Sequence, residues 1–349
     1  MPPGRKPTIS DVARRANVSK GAVSFALNDR PGVSAATKAR ILAAAAELGW
    51  SASSTARALS SAKAFAVGLV VAREPELLGA DPFFAPFIAG VESVLAPRGQ
   101  ALVLQVVPEG EEELASYRRI AATARADGVF LTDLRLDDQR PALLQELGLA
   151  GIAVGHARGE RVLPTVALDD RAGITAAVEH LVALGHRRIA HVAGPTHFVH
   201  GADRQQAFVD AVDRAGLPTP PCVAGDFSAA GGAAATTELL ELPERPTAIV
   251  YANDLMAIAG LQVLAARGLS VPDDISVTGY DDTEIAAHLA PPLTTVATDV
   301  LSWGAAAATS LLALVDGTDP GDVELPAAAL VVRHSSGPAP TTAPTRRSR

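Results

Sequence analysis

At 349 residues the chain exceeds the usual size of one domain and is expected to hold two or three units. It is 48% hydrophobic and 19% charged with a mean hydropathy of +0.21, which excludes a wholly disordered protein; no apolar run reaches the ~20 residues of a membrane helix, and a single cysteine, Cys222, excludes a disulfide framework or a cysteine-based zinc site. The net charge of −8 is unevenly spread: residues 1–63 carry ten lysines and arginines against three acids, a surplus of seven positive charges that leaves −15 on the remainder.

A small basic head on a large acidic body points to a head that meets a polyanion. The first residues, MPPGRKPTISD, lack the apolar stretch and cleavage site of a secretory signal, so a soluble, cytoplasmic protein without a membrane partner is expected. Thr8-Ile9-Ser10-Asp11 has capping-box spacing, and Ile9, Val12, Ala13 and Ala16 recur at helical spacing, which predicts an amphipathic helix over 9–16. Asn17 tolerates the left-handed backbone of a tight turn. Ser19 is a good N-cap for a second helix, on which Val23 and Leu27 stand one turn apart, and small Ala13 permits a close crossing. Together these make a helix-turn-helix whose second helix is placed to enter a major groove. Ser34 caps a third helix carrying Ile41, Leu42, Ala45, Ala46 and Leu48, with Gly49 as its stop. The pattern alone is also open to a three-helix module for protein contact.

The stretch TISDVARRANVSKGAVSFALNDRPGVSAATKARILAAAAELGW resembles the head of the LacI/GalR family of bacterial transcriptional regulators. The signature elements are Thr8-Ile9, Asp11-Val12-Ala13, Val18-Ser19, Val23-Ser24, Leu27-Asn28, Val33-Ser34, Thr37 and Glu47-Leu48-Gly49, and the similarity continues to about residue 334. The resemblance implies double-stranded operator DNA as a partner, contacted by Thr8, Ser19, Lys20, Gly21, Ser24, Phe25 and Asn28. Lys20, Gly21 and Phe25 fall at the positions that read base edges. Lys20 can donate to guanine or to phosphate, Gly21 lets the backbone approach, and Phe25 can touch a thymine methyl but makes no bidentate guanine contact. Residues 51–63, SASSTARALSSAK, resemble the family's hinge helix, with Arg57 beside the minor groove and Leu59 as the wedge between base steps. Off DNA this Ala/Ser-rich segment reads as a flexible linker. The implied domains are a helix-turn-helix domain over 1–50, a hinge over 51–63, an effector-binding body over 64–337 and a disordered tail over 338–349.

In the body, Phe65–Val71, Ala101–Val107, Gly128–Leu131, Gly151–Val154, Arg188–Val192, Ala248–Tyr251 and Ile275–Gly279 read as buried strands. Helix candidates lie between them, at 85–98, 171–184, 202–215 and 254–267. Such alternation predicts parallel sheets with helices on both faces, and so many residues predict two lobes with a ligand cleft at the carboxyl ends of the strands. The fold class expected is therefore a small all-α helix-turn-helix domain plus an α/β body of two parallel-sheet lobes. The resemblance implies that this body is like a periplasmic binding protein, one lobe taking about 64–168 and 298–327 and the other 169–297 and 328–337.

The resemblance also carries a set of cleft residues. Phe83 and Phe84 of the Asp81-Pro82-Phe83-Phe84 loop flank the ligand, although Phe84 serves equally well as core packing. Arg204 supplies a guanidinium fork for hydroxyls or a carboxylate. Phe227 stacks on a sugar ring, and Asn253 with Asp281 forms an amide–carboxylate pair suited to sugar hydroxyls. His200, Leu168 and Thr132 complete the set. The implied partner is a small sugar-like effector, and family members bind pseudopalindromes as homodimers, here across helices 85–98 and 254–267.

Catalysis is disfavoured. The adjacent carboxylates Asp169-Asp170 and Asp281-Asp282 point apart along extended chain, unlike a glycosidase pair. His186, His191, His197 and His200 cluster in sequence, but the strand–helix pattern scatters them, so no metal is expected. No dinucleotide fingerprint, P-loop or nucleophile elbow occurs, and no cofactor is expected. After His334 the chain is proline-rich and basic and reads as disordered, with no leucine heptad for a tail-mediated tetramer. The function expected is a ligand-responsive repressor of a carbohydrate-utilisation operon; the rivals are a sugar-binding protein or a sugar-modifying enzyme without gene control.

Overall fold

The computed structural model describes residues 7–27, 31–50 and 63–341, and the chain divides into two units, Met1–Phe65 and Ala66–Arg349. Asn28, Arg57 and Leu59 lie outside the described residues.

The first unit contains helices α1 (Ile9–Ala16), α2 (Lys20–Leu27) and α3 (Ala35–Glu47). Asp11 closes the first turn of α1 by accepting from the Thr8 backbone N–H at 3.0 Å and its hydroxyl at 2.7 Å. Asn17 adopts the left-handed conformation (φ 53°), and Val18 N–H donates to Ala13 C=O at 2.9 Å, which ends the helix and starts the turn. Val12, Ala13, Ala16, Val23, Ala26, Ile41, Ala44 and Ala45 form the core. Leu42 and Ala46, named with Ile41, Ala45 and Leu48 as marking this helix, are exposed: Ile41, Ala44, Ala45 and Leu48 share one face at 3.6 residues per turn, and Leu42 and Ala46 fall about 100° away.

The second unit begins with β1 (Ala66–Ala72), α4 (Pro75–Ala80), α5 (Phe84–Leu95), β2 (Ala101–Val107), α6 (Glu111–Thr123), β3 (Gly128–Leu131), α7 (Arg140–Leu147), β4 (Ala150–Val154) and β5 (Thr165–Ala167). It continues through α8 (Asp170–Ala183), β6 (Ile189–Ala193), α9 (Val199–Arg214), β7 (Cys222–Ala224), α10 (Ala229–Glu241), β8 (Ala248–Tyr251), α11 (Asp254–Ala266) and β9 (Ser276–Thr278). The last elements are β10 (Thr295–Ala297), α12 (Val300–Val315), β11 (Val323–Glu324) and β12 (Ala329–Val331). One parallel sheet has the order β11-β5-β4-β3-β1-β2 and the other β7-β6-β8-β9, while β10 and β12 form an antiparallel ribbon with Val296 opposite Leu330. The chain leaves the first sheet after β5, returns to it through α12 and leaves again after β11. This is the α/β architecture of two parallel-sheet lobes that the alternating pattern predicts.

β1 is buried on both faces. Val67, Leu69 and Val71 belong to the cluster holding Phe87, Val91 and Trp303, whereas Val70 packs with Tyr117, Ile120 and Leu144 on the opposite side. α5 and α12 pack closely because Gly304 has no side chain: a Cβ there would overlap the Phe87 carbonyl. β2, expected as a buried strand, is the outermost strand, with Leu104 and Val106 exposed, because only β1 pairs with it. The chain after His334 also departs from expectation. Ser335 is fully buried and exchanges bonds with Val277 (2.7 and 2.8 Å), His186 reaches the Gly337 carbonyl at 3.0 Å, and Ala339 N–H donates to Leu184 at 2.9 Å. The edge of β9 needed partners, and composition alone does not reveal that a polar, proline-rich segment supplies them.

Candidate functional site

In the first unit α2 turns Val23 and Ala26 to the core and Lys20, Gly21 and Phe25 to solvent, with Ser24 half-buried. Phe25 is 41% exposed and its ring lies beside Gly32. The two predicted contact residues next to this face already have partners. Ser19 accepts from the Ala22 N–H at 3.1 Å, and Thr8 is engaged with Asp11. The exposed face therefore offers a cation and an apolar ring, which suit a phosphate or base edge and a thymine methyl.

In the second unit a cavity of about 560 Å³ opens between the two sheets, where β1, β3, β4, β5, β8 and β9 end. Its first-lobe wall is built on Arg73, the residue after β1. Arg73 grips Asp133 with Nε and Nη2, both at 2.7 Å, and pairs with Asp81 through Nη1. Burial opposes its charge, but the two carboxylates outweigh burial and raise its pKa; Asp133 in turn is held below its ordinary value by Arg73 against the effect of burial. Asp81 also accepts from the Phe83 N–H at 2.9 Å, which sets the start of α5 and brings Phe83 to the wall, edge-on to Trp303 at 5.7 Å.

The second-lobe wall is built on Arg204 of α9, which donates to Asp170 at 2.8 Å and to the Ala252 carbonyl at 2.9 Å and lies 3.6 Å over the Tyr280 ring. Tyr280 donates to the same Asp170 oxygen at 2.7 Å. Burial would raise the pKa of Asp170, but Arg204 reverses the sign and holds it low. Arg204 Nε is buried and has no hydrogen-bond partner. His200 stacks between Phe198 (5.5 Å) and Phe227 (5.4 Å), and burial lowers its pKa to about 4, so the ring is neutral at pH 7. Phe227 has φ 67°, and Gly194 leaves the space its ring fills. Asp281 closes the floor with φ 114°, and burial pushes its carboxyl well above the usual carboxylate range.

Phe83, Thr132, His200 and Arg204 thus line one cavity, together with Phe227, Asn253 and Asp281. Phe84 and Leu168 do not reach it. Both are almost fully buried in the core, Phe84 because α5 turns it inward and Leu168 because it follows β5 between the sheet and its helices. Asn253 is on the wall but largely committed: its oxygen caps α11 by accepting from Met256 N–H, and its amide donates to the Phe227 carbonyl, both at 2.9 Å. Sequence reasoning missed Arg73, Asp133 and Trp303. Arg73 and Asp133 stand just past the ends of β1 and β3, as Asn253 does past β8, and a polar side chain just past a strand end is a signal that could have found them, whereas nothing local marks Trp303.

The paired carboxylates do point apart. Asp169 caps α8 through Arg171 N–H at 2.9 Å while Asp170 faces Arg204, and Asp282 pairs with Arg333 at 2.6 Å while Asp281 faces the cavity. Of the four histidines, His197 and His200 pack on the same Phe198 ring, and among the described residues no three His, Cys, Asp or Glu stand together as metal ligands. No helix among the described residues is long and apolar enough to cross a membrane.

Comparison with known proteins agrees with both units. The family model for bacterial regulatory proteins of the lacI family matches residues 8–53, and that for a periplasmic binding protein-like domain matches residues 178–336. The HTH-type transcriptional regulator CelR of Thermobifida fusca is 38% identical over 298 residues, covering 84% of this chain and 87% of CelR. Among solved structures, a transcriptional regulator CelR–cellobiose complex superposes with a TM-score of 0.73 at 34% identity over 94% of this chain and 99% of that one. The lac repressor dimer bound to operator and the anti-inducer ONPF superposes with a TM-score of 0.83 at 28% identity over 95% of this chain and all of that one. These relatives are named as regulators of transcription rather than as enzymes. With an exposed helix-turn-helix face in one unit, a two-lobed cavity in the other and relatives of this extent, the chain belongs to the LacI family of bacterial transcriptional regulators.

Proposed function

We propose that the chain is a cytoplasmic, sugar-responsive repressor of a carbohydrate-utilisation operon that binds a pseudopalindromic operator as a homodimer. The observation that carries this reading is the cavity. It joins aromatic faces from both lobes, Phe83 and Trp303 on one side and Phe227 on the other, to guanidinium–carboxylate pairs, the combination that holds a pyranose by its apolar faces and its hydroxyls. A relative of similar extent has been solved with cellobiose, and another as a dimer on operator DNA, which supports carrying both kinds of partner to this chain. Lys20, Gly21, Ser24 and Phe25 are assigned to the operator, and Asn28, Arg57 and Leu59 are assigned there by the family pattern. Effector in the cavity shifts the lobes and so alters the pairing of the two hinge segments in the dimer. By linkage, a sugar that weakens operator binding must itself bind the operator complex more weakly.

A gel shift with DNA upstream of the chain's own operon, with and without a sugar panel, tests the proposal. A salt-sensitive shift that one sugar abolishes, and that is lost on deleting residues 1–63, is the expected result. Leu59→Ala is expected to weaken specific binding more than non-specific binding. Failure of any upstream fragment to shift at low salt, with or without sugars, would overturn the reading.

A further inference from the structure

The charges on the cavity wall narrow the effector class. Four arginines and six aspartates line it, and among the described residues each of those arginines is already ion-paired. Arg73 holds Asp133 and Asp81, Arg204 holds Asp170, Arg158 pairs with Asp203, and Arg171 pairs with Asp210 at 2.7 Å. Arg73 is the decisive one. Its guanidinium carbon lies 5.9 Å from the centroid of the Phe227 ring, one of the aromatic faces that line the cavity, and Arg73 itself lines the same cavity. Left unpaired, a guanidinium in that position is a phosphate or carboxylate receptor. Here Asp133 occupies its Nε/Nη2 fork, with two bonds at 2.7 Å, and Asp81 takes Nη1.

We propose that Asp133 and Asp81 are specificity-determining residues that cancel Arg73, so that the cavity accepts uncharged sugars and rejects phosphorylated or carboxylated ones. The inference rests on the reading of this cavity as the effector site. Asp133 alone offsets the arginine, so the cancellation holds whether or not burial leaves a proton on Asp81. An arriving anion meets the Asp133 carboxylate on the very guanidinium that would attract it, and like charges so placed are strongly disfavoured. A neutral polyol meets no such penalty, because its hydroxyls can donate to the carboxylates and accept from the remaining N–H groups.

The test compares the full-length chain with Asp133→Asn. Asparagine suits this position because residue 133 has left-handed backbone (φ 49°), which asparagine tolerates. Calorimetry and thermal shift would use cellobiose, maltose and trehalose, the phosphorylated sugars trehalose 6-phosphate and glucose 6-phosphate, and inorganic phosphate against chloride at equal ionic strength. The expected result is that the wild type binds a neutral sugar, ignores inorganic phosphate, and binds the phosphorylated sugars at least about a hundredfold more weakly; Asp133→Asn gains at least about tenfold affinity for inorganic phosphate or a phosphorylated sugar. A phosphorylated sugar bound by the wild type as tightly as a neutral one would overturn the inference while leaving the sugar reading intact. So would a folded Asp133→Asn variant, melting cooperatively, that gains no phosphate affinity. If no sugar of any kind bound, the sugar reading would fall, while the inorganic phosphate arm would still decide whether Asp133 bars anions.

Discussion

The two recognition regions of this molecule are built on opposite principles. On α2, Lys20 and Phe25 stand exposed on a helix whose stability comes from Val23 and Ala26 on its other side. In the cavity, Arg73, Arg204, Asp133 and Asp170 are at once the candidate ligand contacts and the links that hold the lobe walls together. A surface that reads DNA can change its residues at little cost to folding, whereas the cavity cannot change an arginine without orphaning a buried carboxylate.

The sharpest way to break this contrast is Arg204→Ala. It leaves Asp170 buried with only Tyr280 as a partner and is expected to destabilise the body by about 3–5 kcal/mol in urea unfolding, and to abolish the sugar response. A cost below about 1 kcal/mol would mean that the pair is a surface-like contact. Next comes His191, which stacks on Phe208 at 4.8 Å and reaches the Val250 carbonyl at 2.8 Å. Burial lowers its pKa to about 4, against 6.5 for the free side chain, so between those values the unfolded chain binds more protons than the folded one. Its contribution is complete above pH 6.5 and declines as pH falls toward 4, by up to about 3 kcal/mol. Asp254, raised by burial to about 6, acts in the opposite sense, so the measurement compares the pH slope of His191→Gln with that of the wild type and expects a flatter one.

A smaller effect is expected of Gly304→Ala. The new methyl meets the Phe87 carbonyl and forces α5 and α12 apart, at about 1–3 kcal/mol by thermal unfolding. The smallest effect on folding belongs to Phe25→Ala, within about 0.5 kcal/mol, although the same change should weaken operator binding about tenfold in a gel shift. A large loss of stability here with no loss of DNA affinity would dissolve the distinction between the two regions.

Legibility in the sequence followed the same division. The capping box at Thr8, the left-handed Asn17 and the strand–helix alternation are local patterns, and local hydrogen bonding and periodicity decide them. β5, β7, β10, β11 and β12 span two or three residues each and leave no period to detect. In the cavity, Arg204, Phe227 and Asp281 were found through the family pattern, whereas Arg73 and Asp133 lie 60 residues apart and become a pair only when β1 and β3 lie side by side. Phe84 and Leu168 were misplaced for the complementary reason: a motif fixes their position along the chain but not which way the side chain turns.

The segment from Ser335 to Ala339 has a practical corollary. By lying on the outer rim of β9 it hides backbone groups that would otherwise be available to another molecule's strand. A protein shortened to end at His334 would expose that rim and leave His186 without its Gly337 acceptor, and should self-associate as concentration rises.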